Sequence, residues 1–203
     1  MRTWALTALI SGSCFGALML VLHLVPEIHA LDAAVIRAIA PLQTFDVVSF
    51  FLAVTVLGGG VGIITVAVGF AYFMRLSSRE VLRLAFLLAV VLFLNRLFKD
   101  VIARTRPDAL QWFDTLPSYS FPSAHATAVM ALYGFMLVYL YQKGYRLTLL
   151  IPGAVILLVG ISRIMLNAHH VSDVIGGYLL GLALLSLSFL LPFARLSKVY
   201  GRA

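Results

Sequence analysis

Histidines, an aspartate and several cations interrupt an otherwise apolar chain. In SRIMLNAHHVSD, residues 162–173, Arg163, His169, His170 and Asp173 lie between two stretches apolar enough for a membrane. Upstream, NRLFKDVIARTRPD (95–108) carries Arg96, Lys99, Arg104 and Arg106, and PSAHA (122–126) carries Ser123, Ala124 and His125. Ionisable side chains at membrane depth are costly unless partnered, so they mark function. Lys99, Arg106 and Arg163 are cationic donors, and the planar fork of arginine meets phosphate oxygens two at a time. Cations held together in low dielectric repel one another, and a dianion among them removes that repulsion. Backbone N–H groups at the helix start near His125 attract anions as well, and the Ser123 hydroxyl adds a donor. Phosphate fits this set.

Binding needs no histidine, but phosphoryl transfer without a metal does. A neutral imidazole can attack phosphorus and carry the group. A protonated imidazole can supply the leaving oxygen with a proton. A carboxylate orients the nucleophile and stabilises its cationic form, while cations stabilise the equatorial oxygens in the transition state. On a helix His169 is i−4 and His170 i−3 from Asp173, so spacing lets either ring reach the carboxylate. The rival chemistry is a zinc or manganese site of His125, His169, His170 and Asp173. Lys99, Arg106 and Arg163 oppose a divalent cation there, and no carboxylate cluster for magnesium and diphosphate is present. No metal and no other cofactor is expected.

The elements that must position these residues are membrane helices. The 203 residues are 62% hydrophobic and 11% charged, against about half and about a quarter in a soluble domain. Six spans are expected, at 3–25, 46–73, 81–99, 123–142, 147–166 and 172–193, from apolar runs near the ~20 residues that cross ~30 Å of hydrocarbon. The alternating short segments of a membrane β-barrel are not seen. The expected fold is an all-α polytopic bundle forming a single membrane-embedded domain over 1–203. The first run is too long for a signal-peptide h-region, and Ile28 is a poor −3 residue, so it is expected to remain as a helix. After it, Leu31, Ala34, Val35, Ala38 and Ile39 recur at helical spacing with Asp32 and Arg37 on the other face. That pattern predicts a short amphipathic helix on the outer interface. Cys14 is the one cysteine, so no intrachain disulfide can form.

The net charge of +7 follows topology and does not call for nucleic acid. Arg2, Arg75, Arg79, Arg83, Lys143, Arg146, Arg195, Lys198 and Arg202 fall on one side with Glu80; Glu27, Asp32, Asp46, Asp100, Asp108, Asp114 and Asp173 fall on the other. The positive-inside bias puts both termini in the cytoplasm and the polar segments on the outer face. Gly58, Gly59, Gly60 and Gly62 in the second span, and Gly177 and Gly181 in the sixth, predict close helix packing within the chain ahead of a dimer face. Trp112, Phe113, Tyr119 and Phe121 read as an aromatic belt, and His23 and His29 as interfacial residues. Arg104 is expected at the pocket rim. Arg96 is expected to snorkel to the interface. Both are candidates for substrate contact.

The segments together resemble the three-part signature of the type 2 phosphatidic acid phosphatase (PAP2) family, membrane lipid phosphatases related to vanadium haloperoxidases. The K-x6-R-P motif is met by Lys99, Arg106 and Pro107; P-S-G-H by Pro122, Ser123, Ala124 and His125; S-R-x5-H-x3-D by Ser162, Arg163, His169 and Asp173. The resemblance implies a metal-independent reaction with His169 as nucleophile, Asp173 holding it, and His125 as general acid. It implies phosphate binding by Lys99, Arg106, Ser123, Ala124 and Arg163, and leaves His170 at a spacer position. Ala124 departs from the family glycine, and strains the loop if that glycine takes positive φ. A pocket at the outer interface favours a lipid phosphate arriving from the outer leaflet, with membrane lipids as its surroundings. Undecaprenyl diphosphate in a bacterial inner membrane is the expected substrate, with phosphatidylglycerophosphate or phosphatidic acid and lipid A as alternatives. A lipid phosphotransferase is the other enzymatic reading. A transporter needs a polar path, which the apolar inner halves of the spans do not offer. The sequence does not set an oligomeric state.

Overall fold

The computed structural model describes residues 1–107 and 118–192. Its helices are α1 (Arg2–Leu24), α2 (Glu27–Ile39), α3 (Phe45–Thr55), α4 (Gly60–Phe73), α5 (Ser78–Ile102), α6 (Ala124–Gln142), α7 (Leu150–Met165) and α8 (Val171–Leu190). Short 3-10 turns over Ala40–Leu42, Val56–Gly58 and Leu147–Leu149 join some of them, and no strand occurs among the described residues. Among the described residues, five helices are long and apolar enough to cross a membrane: α1, α5, α6, α7 with its leading turn, and α8. The protein is an all-helical integral membrane protein, and those five match the expected spans closely.

The second expected span is not one helix. It is α3 and α4, interrupted by the turn at Val56–Gly58 and the extended Gly59. Glycine is the weakest helix former after proline, and three consecutive glycines allow the break.

α6 and α8 form the buried centre, with α1 packed on α8, α7 and α5 on α6, and α3 on α7. Apolar burial does not drive helix association in lipid; close packing does. A Cβ on Gly177 would stand 2.7 Å from the Ser123 carbonyl oxygen, and one on Gly181 2.7 Å from that of Thr127. The G-x-x-x-G face is therefore used inside the chain, against the start of α6. Asn95 on α5 donates to Thr127 Oγ1 at 3.1 Å, tying α5 to the same place. α5 opens with a Ser77–Glu80 capping box and closes at Ala103, which takes the left-handed conformation at φ 48°. That turn swings the chain from Lys99 toward Arg104 and Arg106.

Two expectations are corrected. Phe121 is not part of an aromatic belt: it is fully buried and stacks on Phe15 with ring centroids 5.7 Å apart. Tyr119 is exposed; Trp112 and Phe113 lie outside the described residues, as do Asp108, Asp114, Arg195, Lys198 and Arg202. The amphipathic helix exists as α2, but its polar face is split. Asp32 and Ile36 are buried against the bundle while Leu31 and Val35 are exposed. In lipid the apolar side chains can face outward, and the acid turns in because a buried partner awaits it.

Candidate active site

The three polar segments converge at one end of the bundle, around the non-helical stretch 118–123. Lys99, on the last turn of α5, donates to the carbonyls of Tyr119 and of Ser120, the latter at 3.3 Å. Arg106 Nε donates to Ser118 O at 2.9 Å, and its Nη1 donates to Ala168 O at 2.5 Å. The same Nη1 stands 3.4 Å from His169 Nε2. Ser123 caps α6: its Oγ accepts from Ala126 N at 3.4 Å, and its N–H donates to Asp173 O at 3.0 Å. Arg163, on the last turn of α7, donates to Thr55 Oγ1 at 2.7 Å.

His169 is buried in the loop between α7 and α8. Its Nδ1 lies 3.5 Å from Asp173 Oδ2 and 3.4 Å from Ser120 Oγ. A carboxylate only accepts, so Nδ1 carries the proton and the Nε2 lone pair faces Arg106. Burial pushes the imidazole down to about 3; the Asp173 hydrogen bond and charge oppose this, and Arg163 and Lys99 add to it. The ring is thus neutral, with its free nitrogen aimed at a guanidinium. Burial also lowers the Arg106 pKa, and the Asp173 charge opposes that. His125, on the first turn of α6, is within electrostatic reach of Arg163, His169, Lys99 and Arg106. Ala124 is not among the residues with positive φ and opens α6 as an ordinary helical residue, so the loop tolerates it without strain.

Distance to Asp173 does not separate the two histidines. His170 Nδ1 is 3.4 Å from Oδ2, as near as His169. Their outer sides do separate them, since His169 presents Nε2 to Arg106. His170 is more than a spacer all the same: its backbone N–H donates to Asp173 Oδ2 at 2.8 Å, capping α8.

Arg104, expected at the pocket rim, lies deeper than that, whereas Arg96 sits at the surface as an interfacial residue would. Arg104 is buried behind Asp173, with Nη1 2.6 Å from Asp173 Oδ1 and Nη2 2.7 Å from Asp32 Oδ2. Arg96 is exposed and pairs with Asp100 one turn along α5. His29 is not merely interfacial, because its Nδ1 meets Arg104 Nη2 at 3.2 Å.

Several site residues escape the motifs. Ser120 hydrogen-bonds Asp173 Oδ2, and nothing in the serine-rich sequence around it marks that role. Thr55 and Gly58 come from the broken span: a Cβ on Gly58 would lie 2.6 Å from Val159 Cγ1 and 3.1 Å from His125 Cδ2. Gln43 donates to Met165 O and to Asn167 Oδ1, each at 2.9 Å, bracing the loop before His169. The glycine cluster and Asp32, an acid amid the apolar residues of α2, were the available signals.

Cations gathered around a neutral, carboxylate-backed histidine at one end of a helical membrane bundle can hold an anionic group such as phosphate. The sequence profile of the PAP2 superfamily matches residues 80–197, and the chain belongs to that superfamily. Phosphatidylglycerophosphatase B of Bacillus subtilis (strain 168) is 37% identical over 97 residues, which are 45% of this chain and 47% of that protein. The chain thus matches about half the length of that curated relative. The crystal structure of a transmembrane PAP2-type phosphatidylglycerolphosphate phosphatase from Bacillus subtilis superposes with a TM-score of 0.82 at 26% identity, covering 90% of this chain and 94% of that one.

Proposed function

We propose that the protein is a lipid phosphatase that works through a phosphohistidine on His169 and needs no metal. The observation that carries this is the Nε2 atom of a neutral, buried His169, backed by Asp173 and standing 3.4 Å from Arg106 Nη1. In the proposed sequence, Lys99, Arg106, Arg163, Ser123 and the N–H groups at Ala124 hold the phosphate oxygens. His169 Nε2 attacks phosphorus, the P–O bond to the lipid breaks, and His125 gives that oxygen its proton. Water, deprotonated by His125, then releases inorganic phosphate and restores the imidazole. Asp173 stabilises the ring while it is cationic.

The substrate reading shifts from undecaprenyl diphosphate toward phosphatidylglycerophosphate. The expectation of the diphosphate rested on an outward-facing site; both similar Bacillus subtilis proteins are named for phosphatidylglycerophosphate. The site is taken to face the outer side of a bacterial inner membrane, with lipid arriving sideways. A panel of phosphatidylglycerophosphate, phosphatidic acid, undecaprenyl diphosphate and lipid A, compared by kcat/KM in chelator, tests this. The first is expected to lead. A lead for the diphosphate restores the earlier choice, and turnover only with added metal overturns the mechanism. Phosphate appearing on a lipid acceptor instead of in water would make the protein a phosphotransferase.

A further inference from the structure

The three motifs leave one buried cation without a task. Arg104 lies behind Asp173, on the side away from His169, and its other partners, Asp32, His29 and Ser172, belong to no motif. Its Nη1 reaches Asp173 Oδ1 and Ser172 Oγ, each at 2.6 Å. Its Nη2 reaches Asp32 Oδ2 at 2.7 Å and His29 Nδ1 at 3.2 Å. The His29 contact fixes a tautomer: Nε2 lies 3.0 Å from the Leu22 carbonyl, which only accepts, so Nε2 bears the proton and Nδ1 accepts from Arg104. Ser172 closes the network, donating its N–H to Asp32 Oδ1 at 3.1 Å and its hydroxyl to Asp32 Oδ2. Asp32, Arg104, Ser172 and Asp173 are all buried.

We propose that Asp32 and Arg104 are a positioning pair for Asp173, so that α2, which precedes the stretch matched by the PAP2 profile, completes the active site. The proposal rests on the functional reading above. Two physical effects support it. The first is orientation. Oδ1 of Asp173 is taken by Arg104, whereas Oδ2 accepts from Ser120 and His170 N and faces His169. With Oδ1 pinned, the carboxylate cannot turn its other oxygen away from the ring. The second is charge. A lone Arg104 would neutralise Asp173 outright, but here the guanidinium is shared between two carboxylates. The trio Asp32–Arg104–Asp173 keeps one net negative charge, which favours a cationic imidazole when His169 takes the phosphoryl group. Buried ion networks are a poor route to stability alone, which makes their location behind the nucleophile informative.

The test uses the purified full chain in detergent, with phosphatidylglycerophosphate in mixed micelles, and a readout that needs no substrate. Arg104→Gln removes the shared cation and leaves two buried carboxylates facing each other, so kcat is expected to fall at least ~100-fold with KM within ~3-fold. Arg104→Lys keeps the charge but cannot span both carboxylates, and is expected to fall ~10-fold or more. Asp32→Asn combined with Arg104→Gln relieves the clash and should regain at least ~10-fold over Arg104→Gln alone. In parallel, the 15N shifts of the His169 ring, assigned by His169→Gln, should report one tautomer in the wild type and a mixture in Arg104→Gln and Arg104→Lys. Wild-type kcat in the single variants, losses that add without rescue, or an unchanged tautomer would each overturn the pair. A wild-type chain that hydrolyses none of the lipid panel sinks the phosphatase reading instead, and the 15N arm still decides whether Arg104 holds the Asp173–His169 pair.

Discussion

At the scale of single residues, the pair His169–His170 shows what spacing can and cannot say. Both rings come within hydrogen-bonding range of the same Asp173 oxygen, so proximity to the carboxylate does not identify a nucleophile. The free nitrogen favours His169 in the proposed mechanism, because a nucleophile must present a lone pair to the anion-binding cations, and His169 Nε2 faces Arg106. His169→Ala should therefore lower kcat by at least ~1000-fold, while His170→Ala, which keeps the backbone cap, should stay within ~10-fold of wild type. Inorganic phosphate release in chelator measures both. The neutral state has a second consequence. Burial holds His169 near 3, below the ~6.5 of a free imidazole, so between those values the unfolded chain binds more protons. This contribution to stability is complete above about pH 6.5 and is lost as pH falls toward 3, by up to ~1.4 kcal/mol per pH unit. Unfolding in detergent from pH 7 to pH 4 should show a shallower decline for His169→Gln; an equal slope would mean the ring is not held neutral.

At the scale of elements, the break between α3 and α4 matters more than its apolar sequence suggests. It brings Thr55 to Arg163 and lets Gly58 pass beside His125 and Val159. Neither Val159, whose branched side chain is stiff, nor the His125 ring, the proposed proton donor, gives way without consequence. Gly58→Ala is expected to keep the protein folded, to cost about 1–3 kcal/mol of stability through overpacking, and to lower kcat ~10-fold or more by moving His125. Comparison of thermal unfolding with turnover separates the two effects. Wild-type turnover in Gly58→Ala would show that the glycine cluster serves packing alone.

At the scale of the whole molecule, hydropathy carried most of the fold. Five of the expected spans match the helices within a few residues because a run of about 20 apolar residues has few alternatives in a membrane. The break in the second span was not legible, since three glycines in an apolar run read as helix packing as readily as an interruption. The site was legible where motif residues carry it and hidden where backbone carbonyls and second partners do. The Ser118, Tyr119 and Ala168 carbonyls that receive Lys99 and Arg106 have no sequence signal. Asp32 was assigned to the wetted face because an acid on an amphipathic helix usually lies there. A buried arginine from a distant segment reversed that assignment. The charge asymmetry of the loops predicts that the α6–α7 connection is cytoplasmic and the α2–α3 connection external. In a Cys14→Ser background, a membrane-impermeant thiol reagent added outside cells or spheroplasts should label Leu42→Cys and not Gly144→Cys; the reverse pattern would invert the topology.

The central claim, that His169 carries the phosphoryl group, is tested most directly by trapping it. Purified protein is mixed with phosphatidylglycerophosphate in chelator, quenched in alkali within a turnover, digested and read by mass spectrometry for phosphorylated peptides. The predicted result is a phosphate on His169, absent from His169→Ala and accumulating in His125→Ala if water attack becomes the slow step. A phosphate on another residue, or turnover that forms no phosphorylated protein and requires a divalent metal, would contradict the account.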